Sequence, residues 1–328
     1  MADGAFRQLM RRVIPRKLRW LARTAFTGIQ KIASRTRIKT PDWARTVTHH
    51  PIPLNKPCEI EDFTQPDLLR IMQRVHSHLV KGCGASWPRG LEHRKVWEVG
   101  MAVLAMERHG VLRDDAIVLG VGAGREITTF YLTNFVRWVF ATDLYVGEGW
   151  DDAAPVNMLT EPVALSLIPF RPRRLVVQHM DGRCLRYEDE TFDAIYSSSS
   201  IEHFGDWEDV TAAAREMGRV LKPGGLLTLS TEYRIAGDGK GLPGVLMFNQ
   251  EQLLSLIVEP SGLVPVDTPQ FSISEKTLSR IVPSEELVEN HQRLLRGEEG
   301  RWATYPHIVL EDQGYSWTSY HLALVKRG

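Results

Sequence analysis

The stretch AIVLGVGAGRE, residues 116–126, decides the reading of this chain. Its apolar opening fits a short buried strand. Gly120, Gly122 and Gly124 follow at once. Glycine loses the most backbone freedom on ordering, so three of them at a strand end need a reason. Missing side chains let the backbone approach a ligand, and the helix expected next offers unpaired N–H groups. In an open parallel sheet, ligands bind beyond the carboxyl ends of the strands, and these glycines sit at such an end. The spacing is not the G-x-G-x-x-G of dinucleotide sites. The third glycine comes one place early and Arg125 stands where it would be, which counts against a nicotinamide or flavin cofactor.

Strands and helices alternate outward from this point. WVFATD (138–143), RLVVQHM (174–180), FDAIYSS (192–198) and GLLTLST (225–231) read as strands. REITTFYLTNF and WEDVTAAAREMGRVLK read as helices, the second with Val210, Ala214, Met217 and Val220 on one face. Such alternation predicts parallel βαβ units. NQEQLLSLIVEPSG reads as a later helix, and LVPVDTPQF and YSWTSYHLALVKR as two last strands. Asp143 and Asp181 stand at consecutive strand ends beside the glycine loop. A carboxylate at the first position can accept both hydroxyls of a ribose, and one at the second can receive an adenine amino group. Either aspartate alone is also a good helix cap.

At this point residues 95–270 resemble the class I S-adenosylmethionine-dependent methyltransferases, above all the group acting on small molecules and sugars. The resemblance rests on VLGVGAGRE, ATDLY, HMDG, FDAIYSSSSIEHF and RVLKPGGLLTLST. In the last, Pro223 is expected to end a helix, with Gly224 and Gly225 turning into the fifth strand. The resemblance implies a Rossmann-like α/β fold: a seven-stranded, mostly parallel sheet, its last strand antiparallel, with helices on both faces. It implies S-adenosyl-L-methionine as cofactor, with Gly120, Gly122 and Gly124 under its methionine and ribose part. Asp143 would hold the ribose, Asp181 and Gly182 the adenine, and Ser198 would line the sulfonium end. Prolines 155, 162, 169 and 172 interrupt the helix normally expected between the second and third strands, so that side is expected to shape the substrate entrance.

Methyl transfer to oxygen needs a group to take the acceptor's proton. His203 follows the fourth strand and is the first candidate base; capping or packing of the next helix is its other reading. Glu202, Glu232 and Tyr233 are further candidates for catalysis or substrate contact, the last two expected to point into the same crevice. Glu98, in the helix before the first strand, reads as part of a solvated helix face, with reaching over the cofactor as its other reading. The fourth strand ends in SSSS, not in the acidic or amide residue and two prolines used on nucleobase amines. No clustered His, Asp and Glu set calls for a metal, and no run of 18 apolar residues exists to span a membrane.

The formal net charge of the 328 residues is zero, but residues 1–46 carry 12 Lys and Arg against 2 Asp. Their apolar residues recur at near-helical spacing. The domain plan is thus a basic amphipathic leader over 1–46, a proline-containing linker over 47–60, and a methyltransferase domain over 61–328. That domain has a helical lead-in at 61–115, a cofactor core at 116–270, and an insertion with the last strand at 271–328. An arginine-rich amphipathic segment reads as peripheral membrane contact. A transit segment, a nucleic-acid arm (the least favoured), and packing on the acidic remainder are its other readings. Three scattered cysteines predict a reducing, cytoplasmic setting. The acceptor is expected to be a small molecule, sugar or lipid-linked glycan. A methyltransferase-like binding module without catalysis is the alternative function.

Overall fold

The structure, a computed structural model, describes residues 51–147, 152–286, 289 and 306–328. The leader over 1–46 lies outside these residues. The strands are β1 (Lys56–Pro57), β2 (Ile117–Val121), β3 (Trp138–Asp143), β4 (Leu175–His179), β5 (Phe192–Ser198) and β6 (Leu221–Ala236). They continue with β7 (Gly241–Leu242), β8 (Val245–Leu246), β9 (Val264–Pro265), β10 (Ile281–Pro283), β11 (Val309–Asp312) and β12 (Tyr315–Val325). The helices that matter for the site are α1 (Pro66–Val75), α2 (Ser77–Cys83), α3 (Arg94–Arg108), α4 (Ile127–Leu132) and α5 (Trp207–Val220).

Among the described residues the main sheet runs β10-β11-β12-β6-β5-β2-β3-β4, with β1 and β9 also pairing with β12. β4, β3, β2, β5 and β6 are mutually parallel, and β12 runs antiparallel to β6. The order doubles back at β2, whose neighbours are β3 and β5, so the glycine loop leaves the sheet at the switch point where a crevice opens. The expected mostly parallel sheet and antiparallel last strand are present, but the sheet has ten strands, not seven. Three short strands share the far edge of β12: β11 at Tyr315–Trp317, β1 at Tyr320–His321 and β9 at Leu324–Val325. Together they cover backbone groups that would otherwise form an open edge.

β1 also corrects the domain plan. Residues 51–60, expected as linker, are packed on the sheet: Ile52, Leu54, Cys58 and Ile60 are buried, and Asn55 caps Ala323 N–H through its side chain. Apolar side chains at alternate positions and a two-residue pairing hold this segment in place.

One core lies between the sheet and α1, α3 and α4, the other between the sheet and α5 with the helical stretch over 250–261. α5 starts with a capping box, Asp206 accepting from Trp207 N–H at 2.7 Å with Asp209 at the third position. It ends at Val220, three residues before Pro223. Leu221 already pairs with Phe192, and the register shifts before Ala194 meets Leu226. Pro223, Gly224 and Gly225 therefore form a bulge inside β6 rather than a helix stop, the place in a sheet where proline costs least. Between β3 and β4 the expected helix is replaced by short 3-10 turns at Val156–Met158, Pro162–Leu165 and Pro172–Arg174. Val156, Val163 and Leu167 stay exposed on this rim.

Candidate functional site

The glycine loop is shaped by its neighbours in the protein. Gly122 (φ +64°) and Gly124 (φ +47°) occupy the left-handed region that penalises a side chain. A Cβ on Gly122 would lie 2.5 Å from Ser200, one on Gly124 would strike the Ala153 carbonyl, and one on Gly120 would strike the Tyr196 ring. The amides following the turn are bonded internally. Ala123 N–H donates to Thr142 O (3.0 Å), Gly124 to Asp143 Oδ2 (2.8 Å), Arg125 to Ala153 O (2.9 Å) and Glu126 to Ala123 O (3.0 Å). These amides belong to the loop; the unpaired N–H groups expected of the next helix would be those of its first turn, which begins at Ile127 and has no side-chain cap. A loop whose amides are satisfied in this way is no phosphate cradle, and it suits a cofactor that carries no phosphate.

Asp143 ends β3 with one carboxylate oxygen toward this loop and the other on the amide of the next residue. Oδ2 accepts from Gly124 and Oδ1 from Leu144 N–H (2.7 Å). Each oxygen keeps a second acceptor position, which is what a vicinal diol requires. Burial raises the acid to about 6, with the two backbone amides pulling the other way. Asp181 is placed differently. Arg183 grips it through Nε (2.9 Å) and Nη2 (2.6 Å), and Arg183 N–H also bonds Oδ1. Arg183 in turn reaches Asp209 at 3.0 Å. The Asp181 carboxylate is thus held below its ordinary range by Arg183, although partial burial opposes this. Gly182 packs between Phe204 and Val121, where a Cβ would come within 2.8 Å of either.

Between α3 and the ends of β5 and β6 lies a buried ionic network. Arg94 Nη1 bonds both Glu232 oxygens (2.9 and 2.6 Å) and Ser319 Oγ (2.9 Å). Lys95 lies 3.1 Å from Glu98 and 3.4 Å from Glu232, and also bonds Ser199. Ser199 donates to Glu98 Oε2 at 2.8 Å. Ser199 itself has φ +45°, a strained value for a non-glycine residue, at the turn after β5. Glu98 is 2% exposed, so the expected solvated helix face is instead an internal one. Arg94, Lys95 and Ser199 are the residues that the sequence reading passed over.

Glu232 and Tyr233 do not share a crevice. Side chains alternate along a strand. Glu232 meets α3, while Tyr233 packs with Phe271 and Tyr320 and donates to Phe271 O at 3.2 Å. Glu202 is 1% exposed and accepts from Thr231 Oγ1 at 2.8 Å. Burial and the charge of Glu232 push its acid well up, whereas Arg94 and Lys95 hold Glu232 low against its own burial. Glu202 and Glu232 are thus both too buried to meet a substrate directly. His203 is half-buried, with Nδ1 2.9 Å from Gly244 O. Donation from Nδ1 to that carbonyl leaves the lone pair on Nε2. Burial lowers the imidazole below its ordinary value, so it is neutral at pH 7. Ser198 ends β5 near Glu126 and favours the ionised form of that carboxyl. Among the described residues there is no His, Cys, Asp and Glu group able to hold a metal, and no helix long and apolar enough to cross a membrane.

No curated protein matches this chain. Among solved structures, it resembles the YcgJ protein of Bacillus subtilis (16% identity, 70% of this chain and 98% of that one, TM-score 0.45). It resembles the [4+2]-cyclase SpnF at 20% identity over 78% of this chain and 93% of that one (TM-score 0.48). It also resembles phosphoethanolamine N-methyltransferase 2 of Haemonchus contortus bound to S-adenosyl-L-methionine, at 17% identity over 69% and 52% (TM-score 0.44). Residues 119–229, from the glycine loop to β6, match the model of a family described as a methyltransferase domain. The stretch that carries the glycine loop, Asp143, Asp181 and Ser198 is therefore a methyltransferase domain.

Proposed function

We propose that the chain transfers the methyl group to an oxygen of a small molecule, a sugar or a lipid-linked glycan, with His203 as the base. The observation that carries this reading is the His203 imidazole: neutral, half-buried, oriented by Gly244 and set just past the end of β5. The cofactor, when bound, supplies a methyl group on a sulfonium, the leaving group of an in-line displacement. The chain's own work is to place the acceptor and take its proton. Asp143 and the glycine loop hold the ribose side, with Asp181, Gly182 and the Arg183 pair on the adenine side. Glu202 and Glu232 act at one remove, fixing Thr231, Arg94 and Lys95 around the acceptor. Tyr233 belongs to the packing behind β6.

His203→Ala is expected to lower kcat by about 10²–10⁴-fold on the true acceptor while cofactor affinity holds. Screening extracted glycans, lipids and small metabolites for labelled methyl uptake identifies that acceptor. Full activity in His203→Ala would remove the base role. The acidic limb of the rate profile should lie below pH 6.5, since the imidazole accepts a proton only in its neutral form and burial lowers its value.

Residues 1–46 serve location in this reading, as a basic arm on an anionic membrane from the cytoplasmic side. Each basic residue near such a surface contributes on the order of 1 kcal/mol. Deleting them should leave cofactor affinity unchanged and abolish sedimentation with anionic vesicles. In the full chain, raised salt should weaken that sedimentation, since charges are screened beyond about 10 Å at 0.1 M. Loss of the cooperative unfolding transition in the truncated protein would show instead that the leader packs on the domain.

A further inference from the structure

Glu126 was given no role by the sequence, yet it sits where the glycine loop becomes α4. It holds the N-cap position, where an acid ordinarily bonds the first amides of its helix. It makes no such bond. Its carboxyl instead accepts from Thr128 Oγ1 at 3.2 Å, with the Ser198 hydroxyl at the end of β5 near enough to favour its ionised form. Glu98 and Lys95 face it from α3, and Tyr196, bonded to Thr129 at 2.6 Å, from β5. A helix N-terminus favours the ionised form. Burial and the Glu98 charge outweigh that, together with Ser198, Thr128 and Lys95, and raise the acid to about 8. The group is therefore mostly protonated at pH 7. It lies between the glycine loop and Ser198, the two places assigned to the cofactor's methionine and sulfonium end.

We propose that Glu126 distinguishes the charged methyl donor from its uncharged product: its carboxyl releases a proton to solvent when the sulfonium binds and keeps it when the thioether is bound. The argument rests on Ser198 lying at the sulfonium end. A permanent cation within about 4–6 Å lowers a carboxyl by roughly one to three pH units. A carboxyl at about 8 is the kind that such a cation converts across neutrality. S-adenosylhomocysteine lacks that charge and gains nothing from ionisation. The donor is thus held more tightly than the product as pH rises, which eases product release.

Calorimetry of the full chain in two buffers of different ionisation heat counts the protons released on binding. At about pH 7 the wild-type protein should release close to one more proton with S-adenosylmethionine than Glu126→Gln does, and about the same number as the variant with S-adenosylhomocysteine. The ligands' own amines titrate alike in both proteins, so the difference belongs to Glu126. The donor-to-product affinity ratio should rise roughly tenfold between about pH 7 and pH 9 in the wild type, beyond any change in Glu126→Gln. Ser198→Ala, which removes a hydroxyl that favours the ionised carboxyl, should move the midpoint of this rise to higher pH. Equal proton release by wild type and Glu126→Gln, or an unmoved midpoint in Ser198→Ala, overturns the proposal while leaving the cofactor site intact. Absence of any S-adenosylmethionine binding would strike the cofactor site itself.

Discussion

Asp143→Ala should weaken S-adenosylmethionine binding by about 2–4 kcal/mol, roughly 30- to 700-fold. The substitution removes two acceptor oxygens suited to the ribose diol. It also frees the Gly124 amide, whose 2.8 Å bond to Oδ2 pins the glycine loop to the end of β3. Asp143→Asn keeps one carbonyl oxygen and should recover part of the loss. Asp152→Ala, on the neighbouring rim, should change affinity far less. The carboxylate is raised to about 6 by burial, so the wild-type affinity should also decline as the pH falls through that value, when the acid form replaces the double acceptor. Titration calorimetry reads both effects. Unchanged affinity in Asp143→Ala would remove this residue from the site.

Arg94→Met should destabilise the fold by about 3–5 kcal/mol, because it strands the buried Glu232 carboxylate. Arg94 bonds both Glu232 oxygens through Nη1, and its side chain and that of Glu232 are 7% and 6% exposed. Lys95, at 3.4 Å, compensates in part. Adding Glu232→Gln to Arg94→Met should return much of the stability, since a neutral amide is far cheaper to bury than an unpaired charge. Chemical denaturation of the wild type, both single variants and the double variant gives the coupling directly. A midpoint unmoved by Arg94→Met would show that the network does not hold α3 to β6.

The long elements of the core were legible in the sequence because each carries a strong local signal. WVFATD and FDAIYSS coincide with β3 and β5, and the apolar stripe of 207–222 with α5. LVPVDTPQF contains β9, although only Val264 and Pro265 pair; β1, β10 and β11 were not legible, since two to four residues give no periodicity and their pairing depends on β12 or β11 far along the chain. The bulge at 222–225 was misread for a related reason: Pro-Gly-Gly after a helix signals a turn, and only the Phe192 and Leu226 registers show that the strand has already begun.

The site shows the same division. Gly120, Gly122, Gly124 and Asp143 come together as their spacing implied. Arg94, Lys95 and Glu98 resemble an ordinary charged face at i, i+1 and i+4. What makes them internal is the arrival of Glu232 and Ser319, more than 130 residues away, and no local pattern announces that. The opposite faces of Glu232 and Tyr233 could have been read, because adjacent strand residues always diverge. That the loop amides bond inward depends on Thr142, Asp143 and Ala153, and the last belongs to a rim whose prolines hid its structure.

Photo-crosslinking of methyl-labelled S-adenosylmethionine to the full chain, followed by peptide mapping, reads out whether the cofactor lies across the ends of β2, β3 and β5. The label should fall on peptides containing Gly120–Glu126, Asp143–Leu144 or Ser198–His203, and excess S-adenosylhomocysteine should suppress it. Label confined to other peptides, or label that S-adenosylhomocysteine does not displace, would contradict it.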